Sequence, residues 1–303
     1  ETRAEVLRLC GEMNFVPNSA GRSLRLQRTD VVGVIYAPSF AELFGNVFYA
    51  RIMEGMAETL GDAGLDLMLG HRVADGELPG IVRQGKVDAL VVLAGVFGPE
   101  TFERLKTCPV PVCVVDGHVD SLRADSLTND GFGGGRQVAE YLVEQGHREV
   151  LMLAYDAPIY NIEQRIGGFL DGLGRVGIDL PAERAVARVA NDDEAAIHLL
   201  GRLGQDNPPT AVFAVNDTMA AYLVLELTKA GVRVPEDMSV VGFDDDELAE
   251  RCEPALTTVG MDKRDLGAIS AKMVLERISD PDKEPVHHVQ ATRLVIRDSV
   301  AKR

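Results

Sequence analysis

The sequence lacks the features of a membrane protein or a disulfide-bonded scaffold. Its four cysteines form no C-x-x-C pair, which excludes a zinc ribbon and a thioredoxin-type motif. Its longest apolar run, around residues 89–97, is far shorter than the roughly 18 apolar residues of a membrane span. The first residues contain no apolar signal region, so we expect a cytoplasmic protein with free thiols.

Patterns typical of enzymes and metal sites are absent too. There is no G-x-S-x-G sequence and no convergent Ser/His/Asp set. The pair His287-His288 has no partners at metal-ligand spacing. The stretch Gly131–Gly135 resembles a phosphate-binding loop, but its context fits the entry of a helix better. We therefore expect no catalysis, no cofactor and no metal.

The charge balance is acidic, with one basic exception. The chain carries a formal charge of −16, which argues against a protein that coats nucleic acid through bulk charge. Residues 1–29, however, hold five arginines against three glutamates, and 18–29 hold three arginines and no acid. The sequence thus joins a small basic segment to a strongly acidic body.

From residue 31 onward, short β-branched runs alternate with longer amphipathic stretches. Most runs are apolar on both faces, as parallel strands covered by helices should be. This alternation predicts a doubly wound α/β fold, and nine or more strands are too many for one sheet, so we expect two similar lobes with a seam near 128–130. The predicted strands are Val31–Tyr36, Leu65–Leu69, Ala89–Leu93, Val112–Val115, Val150–Leu153, Ala185–Val189, Ala211–Val215 and Ser239–Phe243, and the helices include Phe48–Leu60, Gly135–Gln145, Glu163–Val176 and Thr218–Ala230.

The C-terminal part reads as another helix unit over 259–278 and strands over 287–296. A tail in this place can cross back to the first lobe, which would leave a ligand cleft between the lobes. Several polar or aromatic residues follow predicted strands, at the edge where open α/β sheets bind ligands. They are Asp116, Arg165, Asn216 and Asp244, with Phe48 and Tyr49 at the start of a helix.

The first 29 residues follow a different pattern. Residues 3–13 predict one short amphipathic helix, and 19–25 a second, marginal helix that contains Gly21. Because so short a helix does not offset its nucleation cost, we expect it to need a partner.

The segment from Glu12 to Leu24 resembles the end of the headpiece and the hinge helix of LacI/GalR-family bacterial transcription regulators. Further stretches are similar to that family in the same order, over essentially the whole chain. They are residues 130–148, 165–169, 212–220, 234–245 and 254–259. The family's headpiece starts further upstream, with the helix that reads the major groove, so by this resemblance the chain is a repressor truncated in its headpiece.

The resemblance implies a fold, a domain plan and partners. The fold is a periplasmic-binding-protein-like pair of lobes with three crossovers, behind a helix-turn-helix headpiece and a hinge helix. The domains would be 1–16 for the headpiece remnant, 17–29 for the hinge, 30–129 with 260–289 for the N-terminal lobe, and 130–259 with 290–303 for the C-terminal lobe. The partners would be operator DNA, a small polar effector that is a carbohydrate, and a second copy of the chain.

The resemblance also assigns roles to the hinge. Leu24 matches the leucine that wedges into the minor groove and kinks the operator. Arg22, Arg25 and Arg28 would contact phosphates, which position the protein without specifying sequence, and Asn18 and Ser23 would join this DNA-binding set. The alternative is a flexible basic linker in which the leucine is incidental.

In the body, Arg165, Asn216 and Asp244 match the positions that hold the effector's polar groups, and Phe48, Tyr49 and Asp116 would complete the pocket. Each has a simpler alternative: Asn216 and Asp244 as caps, Arg165 as a surface ion pair, Phe48 and Tyr49 as core. Met261 stands where some sugar-binding relatives carry glutamine. The rival function, a periplasmic-type sugar-binding protein, would share the lobes but has no use for Leu24 and the hinge arginines.

Overall fold

The computed structural model describes residues 2–13, 28–36, 43, 45–70, 77–93, 97 and 99–303. The predicted hinge residues Asn18, Arg22, Ser23, Leu24 and Arg25 lie outside this part of the chain. The predicted N-terminal helix is present, as α1 over Thr2–Glu12.

The remaining elements alternate between strand and helix. The strands are β1 Val31–Tyr36, β2 Asp66–Gly70, β3 Ala89–Leu93, β4 Val112–Val115, β5 Asp125–Asn129, β6 Val150–Tyr155, β7 Val186–Val189, β8 Ala211–Ala214, β9 Ser239–Val241, β10 Thr258–Gly260, β11 His287–Gln290 and β12 Arg293–Val295. The helices are α2 Val47–Asp62, α3 Gly80–Arg83, α4 Pro99–Leu105, α5 Gly131–Glu144, α6 Tyr160–Arg175, α7 Ala182–Ala185, α8 Asp192–Leu203, α9 Asp217–Lys229, α10 Glu247–Arg251 and α11 Lys263–Ser279.

The strands form two parallel sheets and one small ribbon. The first sheet has the order β11-β5-β4-β3-β1-β2, and the second has the order β7-β6-β8-β9. Strands β10 and β12 pair antiparallel. The central strands are buried on both faces, which is why they appear in the sequence as continuous apolar runs.

The chain passes between the two sheets three times. It leaves the first sheet after β5 and builds the second sheet. It then returns through α11, which packs on α2, and adds β11 beside β5. Finally β12 pairs with β10, and the tail bonds back to β9 through the Val240 amide and the Ser299 carbonyl. The two-lobe fold with three crossovers is therefore confirmed.

Strand β5 was not predicted, because its sequence Asp-Ser-Leu-Thr-Asn is mostly polar. All five residues are nevertheless buried. Asp125 forms a bidentate ion pair with Arg277, with N···O distances of 2.7 and 3.0 Å. Ser126 lies 2.7 Å from the Nδ1 atoms of both His118 and His287. Partners that come from distant segments make this polar strand tolerable inside the lobe.

Helix α5 begins at Gly131, four residues before the predicted start. Asp130 caps it by accepting a hydrogen bond from the Gly133 amide at 2.7 Å, so the glycines form its first turns. This confirms that the glycine-rich stretch is a helix entry. The glycines also let α5 and α6 approach closely, since a Cβ at Gly135 or Gly168 would overlap a backbone carbonyl of the other helix.

In the described part of the chain, no helix is both long and apolar enough to cross a lipid bilayer.

Candidate functional site

A largely buried ion pair joins two elements at the carboxyl edge of the second sheet. Arg165 lies in the second turn of α6, and its Nη2 is 2.9 Å from Oδ1 of Asp244, which follows β9. Its Nη1 donates to the Val215 carbonyl, just beyond β8. The guanidinium carbon stands 3.7 Å from the centroid of the Phe243 ring, a cation–π contact. Arg165 is therefore fixed by contacts with two neighbouring strand ends.

The backbone and surroundings of Asp244 are unusual. Its φ of 108° lies in a region that side chains other than glycine rarely adopt. Lys263, at the start of α11, donates to the backbone carbonyls of Asp244 and Asp245. Burial raises the pKa of Asp244 to about 6, although the charge of Arg165 opposes that rise. A strained, buried carboxyl at a sheet edge is typical of a functional site.

A second buried carboxyl, Asp116, lies at the carboxyl edge of the first sheet. It follows β4 with φ of 62°, and its Oδ2 accepts a hydrogen bond from the Tyr49 hydroxyl at 2.8 Å. Asn161, in the first turn of α6, donates to the Asp116 carbonyl at 3.0 Å and to its Oδ1 at 2.5 Å. Burial raises the pKa of Asp116 to about 7. Because α6 directly follows β6 of the second sheet, whereas Asp116 follows β4 of the first, this contact links the two lobes.

Asn216 is the N-cap of α9. Its Oδ1 accepts a hydrogen bond from the Met219 amide at 2.9 Å, which leaves the Nδ2 donors for other partners. Nearby, burial and Asp192 raise the pKa of Tyr155, whose hydroxyl donates to Oδ1 of Asp192 at 2.7 Å, and Asn216 opposes that rise. The cap and a role at the sheet edge are therefore compatible.

Three aromatic rings line the N-terminal lobe beside Asp116. The Tyr49 ring contacts Tyr36 at a centroid distance of 4.9 Å and Phe48, edge to face, at 5.2 Å. Tyr49 and Phe48 are each 6% exposed and belong to the core of this lobe. Tyr49 therefore packs as a core residue and also presents a hydroxyl to Asp116, whereas Phe48 supports its ring.

A cavity of about 620 Å³ opens where the two lobes face each other, a size that suits a small ligand. Its N-terminal-lobe wall includes Tyr36 and Asn46, and its C-terminal-lobe wall includes Thr218 and Leu248. None of the six predicted pocket residues lines this cavity, but Tyr36 on its wall contacts the Tyr49 ring, whose hydroxyl donates to Asp116.

This arrangement suits the recognition of a polar molecule. The Arg165–Asp244 pair offers a donor fork and acceptors side by side, which matches neighbouring hydroxyl groups. Within the described residues, no group of three or more His, Cys, Asp or Glu side chains could hold a metal ion.

Comparisons with known proteins agree with the two-lobe fold. Residues 139–300 match the family model described as a periplasmic binding protein-like domain. The repressor PurR of Vibrio atlanticus is 30% identical over 288 residues, covering 93% of this chain and 85% of its own length. The chain belongs to the LacI family of transcriptional regulators.

Solved structures of this family are similar over nearly the whole chain. A complex of the transcriptional regulator CelR with cellobiose is 28% identical, with a TM-score of 0.80, and the match covers 98% of this chain and 90% of CelR. A LacI-family regulator from Enterococcus faecium with bound ribose is 27% identical, with a TM-score of 0.77 and coverages of 90% and 99%.

In this LacI-family chain, the predicted pocket residues lie along two facing sheet edges. Arg165 contacts Asp244, and Tyr49 contacts Asp116. Asn216 caps the helix that follows β8, and Phe48 lies in the core. Ligand contact by these six residues stays a prediction.

Arg28, the one predicted DNA-contact residue within the described chain, is paired with acids. Its Nε lies 2.9 Å from Asp30 and 3.6 Å from Asp88. Asp88 also accepts hydrogen bonds from the Thr29 amide and hydroxyl, so it anchors the entry to β1. A phosphate contact by Arg28 stays a prediction.

Sequence reasoning missed Asn129, Asn161 and Lys263. Asn161 and Lys263 lie in the first turns of helices, where polar residues are usually assigned to capping or solvent. Asn129 ends β5, the strand that was not predicted. Their positions in the chain could have indicated a role, because all three lie beside strand ends or crossovers that carry a predicted pocket residue.

Proposed function

We propose that this LacI-family chain is a DNA-binding repressor whose affinity for its operator is controlled by a small polar effector, a carbohydrate, bound between the lobes. One observation carries the proposal. The Arg165–Asp244 pair and the buried Asp116 lie at the carboxyl edges of two facing sheets, and the helix that carries Arg165 also carries Asn161, which contacts Asp116.

The effector would contact the polar groups at these two edges. Arg165, Asn216 and Asp244 would hold its hydroxyls from the C-terminal lobe, and Asp116 would do so from the N-terminal lobe. Tyr49, supported by Phe48, would provide a flat face beside the ring of a sugar. The regulators that contain cellobiose and ribose support a sugar as the ligand class.

The control mechanism we propose is a shift between two lobe arrangements. An effector that binds one arrangement better than the other favours that arrangement by its difference in affinity. Because Asn161 and Asp116 belong to different lobes, a ligand at this point competes with or reinforces a contact that already depends on the arrangement. The new arrangement would change the spacing of two hinges across a homodimer and therefore change operator affinity.

We propose that the N-terminal lobe comprises residues 30–129 with 260–289, and that the C-terminal lobe comprises residues 130–259 with 290–303. Residues 1–16 and 17–29 would be the headpiece end and the hinge, with Leu24 as the wedge and the hinge arginines on phosphates. A cytoplasmic location follows from this function. The periplasmic-type sugar-binding alternative is less well supported, since the relatives are repressors.

The effector site can be tested by calorimetry with a panel of sugars and nucleobases. We expect a ligand whose binding is lost in Arg165→Ala and in Asp244→Ala. Arg175→Ala is the matched control, because Arg175 lies on the same helix but pairs with Asp171 on the surface. A ligand that binds both site variants as tightly as the wild type would show that the pocket lies elsewhere.

The DNA role can be tested on the protein extended by an upstream headpiece. We expect Leu24→Ala to weaken operator binding strongly, because the wedge that opens the base step is lost. Leu26→Ala is the control, since Leu26 lies beyond the predicted hinge helix of residues 19–25. Equal affinities of Leu24→Ala and the wild type would exclude the wedge.

A further inference from the structure

Asp116 is a buried carboxylate whose contacts are all neutral. Its side-chain oxygens accept hydrogen bonds from the Tyr49 hydroxyl and from Nδ2 of Asn161, and Nδ2 of Asn129 lies 3.5 Å from Oδ1. In the described chain, no Lys, Arg or His side chain forms an ion pair with it. Asp244, by contrast, has Arg165 at 2.9 Å. A buried charge without a counter-charge is costly, so a cation bound beside Asp116 would offset that cost.

Two hydrogen-bond acceptors beside Asp116 have no donor. The Oδ1 atoms of Asn129 and Asn161 are buried, and no donor of the described residues reaches either atom. The two asparagines are 2% and 5% exposed, and Asp116 is 8% exposed. Buried polar atoms are nearly always paired, so a cluster of unpaired acceptors around one carboxylate is a specific feature.

The missing partner can be described by its chemistry. A carboxylate offers about four acceptor positions, and the three donors leave one free. With the free Oδ1 atoms of the two asparagines, the site presents three acceptors and one uncompensated negative charge. A primary ammonium has three donors, no acceptor and one positive charge, so it matches this set. A phosphate or a carboxylate would add negative charge and acceptor atoms beside Asp116, where the added charge and the added acceptors would both lack a partner.

We propose that the effector carries a protonated primary amine as well as hydroxyl groups, as a hexosamine does. The ammonium is held by Asp116 with the Oδ1 atoms of Asn129 and Asn161, and the hydroxyls face Arg165 and Asp244. This inference rests on the proposed function and narrows its ligand class to amino sugars. Burial raises the pKa of Asp116 to about 7, with Arg165 lowering it and Asp244 raising it from a distance. An ammonium bound here would keep the carboxylate ionised.

The test compares matched ligands by calorimetry at pH 7.5. Glucosamine, galactosamine and mannosamine are each measured against the parent hexose and the N-acetyl derivative, which lack the charge. We expect at least one amine to bind at least about tenfold more tightly than its parent hexose and its N-acetyl derivative, because a buried charge pair is gained. Asp116→Asn should abolish this preference, so that the variant binds the amine and its two neutral partners with similar affinities.

Asp245→Asn is the control variant. Asp245 is also an aspartate at positive φ, 54°, but its carboxylate pairs with Arg297. It therefore controls for the loss of one acid near the lobe boundary, and we expect it to keep the amine preference. An equal loss of preference in both variants would overturn the role of Asp116.

The other outcomes are also decisive. A neutral hexose that binds as tightly as its amine overturns this inference and leaves the sugar-controlled function in place. A panel in which no amine binds also overturns this inference, whereas the sugar-controlled function is decided by the wider panel of sugars and nucleobases. Thermal stabilisation by potassium or magnesium chloride that is lost in Asp116→Asn and absent with tetramethylammonium chloride would assign the niche to an inorganic cation, and the amine proposal would fall.

Discussion

The closest helix contact in the C-terminal lobe gives a prediction with a defined magnitude. In α6, a Cβ added at Gly168 would overlap the Phe132 carbonyl of α5. Since a backbone carbonyl cannot rotate away, Gly168→Ala must push the two helices apart. Overpacking of this kind costs about 1–3 kcal/mol, and the better helix propensity of alanine returns up to about 1 kcal/mol. We expect a net loss of stability.

The matched control is Gly174→Ala, on the same helix. No atom of another residue lies within 4 Å of a Cβ built there, and the residue is exposed. Only the propensity term remains, so we expect a gain of up to about 1 kcal/mol. Comparing the urea midpoints of the two variants separates close packing from helix propensity.

The same substitution should also affect the site, because α6 carries Asn161 and Arg165. If α5 and α6 separate, the contacts of these side chains with Asp116 and Asp244 lengthen. We expect Gly168→Ala to weaken binding of the effector, whereas Gly174→Ala should not. A Gly168→Ala protein as stable as the wild type would refute the close approach on which this reasoning depends.

Further predictions concern charge. Burial raises the pKa of Asp116 to about 7 and that of Asp217 to about 8, above the ordinary value of about 3.9. The folded state therefore holds these protons more tightly than the unfolded state does. Stability should fall as pH rises from about 6 to 8, by at most about 1.4 kcal/mol per pH unit and group. Calorimetric unfolding at pH 6 and 8 measures this, and Asp217→Asn should flatten the slope; a slope that Asp217→Asn leaves unchanged would rule out its contribution. Arg277→Met should lower the free energy of unfolding by about 3–5 kcal/mol, since it leaves the buried Asp125 without its counter-charge. Arg123→Met, which breaks an exposed pair with Glu284, should lower it by less than about 1 kcal/mol. Similar denaturation midpoints for these two variants would contradict the burial argument.

The sequence predicted most of the apolar strands, but it missed the polar β5, and it read 259–278 as one helix unit although residues 258–260 form β10. Val31–Tyr36, Ala89–Leu93 and Val112–Val115 were placed with their observed bounds, because burial on both faces leaves a continuous apolar run. Strand β5 was missed because it is stabilised by Arg277, His118 and His287, partners that lie close only after folding.

The candidate site residues were predicted from their positions at strand ends, and their role stays a prediction, but their pairing was not predicted. Arg165, Asp116 and Asp244 could each be found from the chain order. That Arg165 pairs with Asp244 while Asp116 has only neutral partners depends on how α6 lies across both sheet edges. No local pattern encodes this, because Asn161 looks like an ordinary residue of a first helical turn.

The central claim, that the two facing sheet edges form the effector site, is tested most directly by a thermal-shift screen of sugars, amino sugars and nucleobases on three proteins. These are the wild type, Arg165→Ala and the surface control Arg175→Ala. We predict at least one compound that raises the melting temperature of the wild type and of Arg175→Ala and has no effect on Arg165→Ala. Compounds that stabilise all three proteins equally would contradict the account.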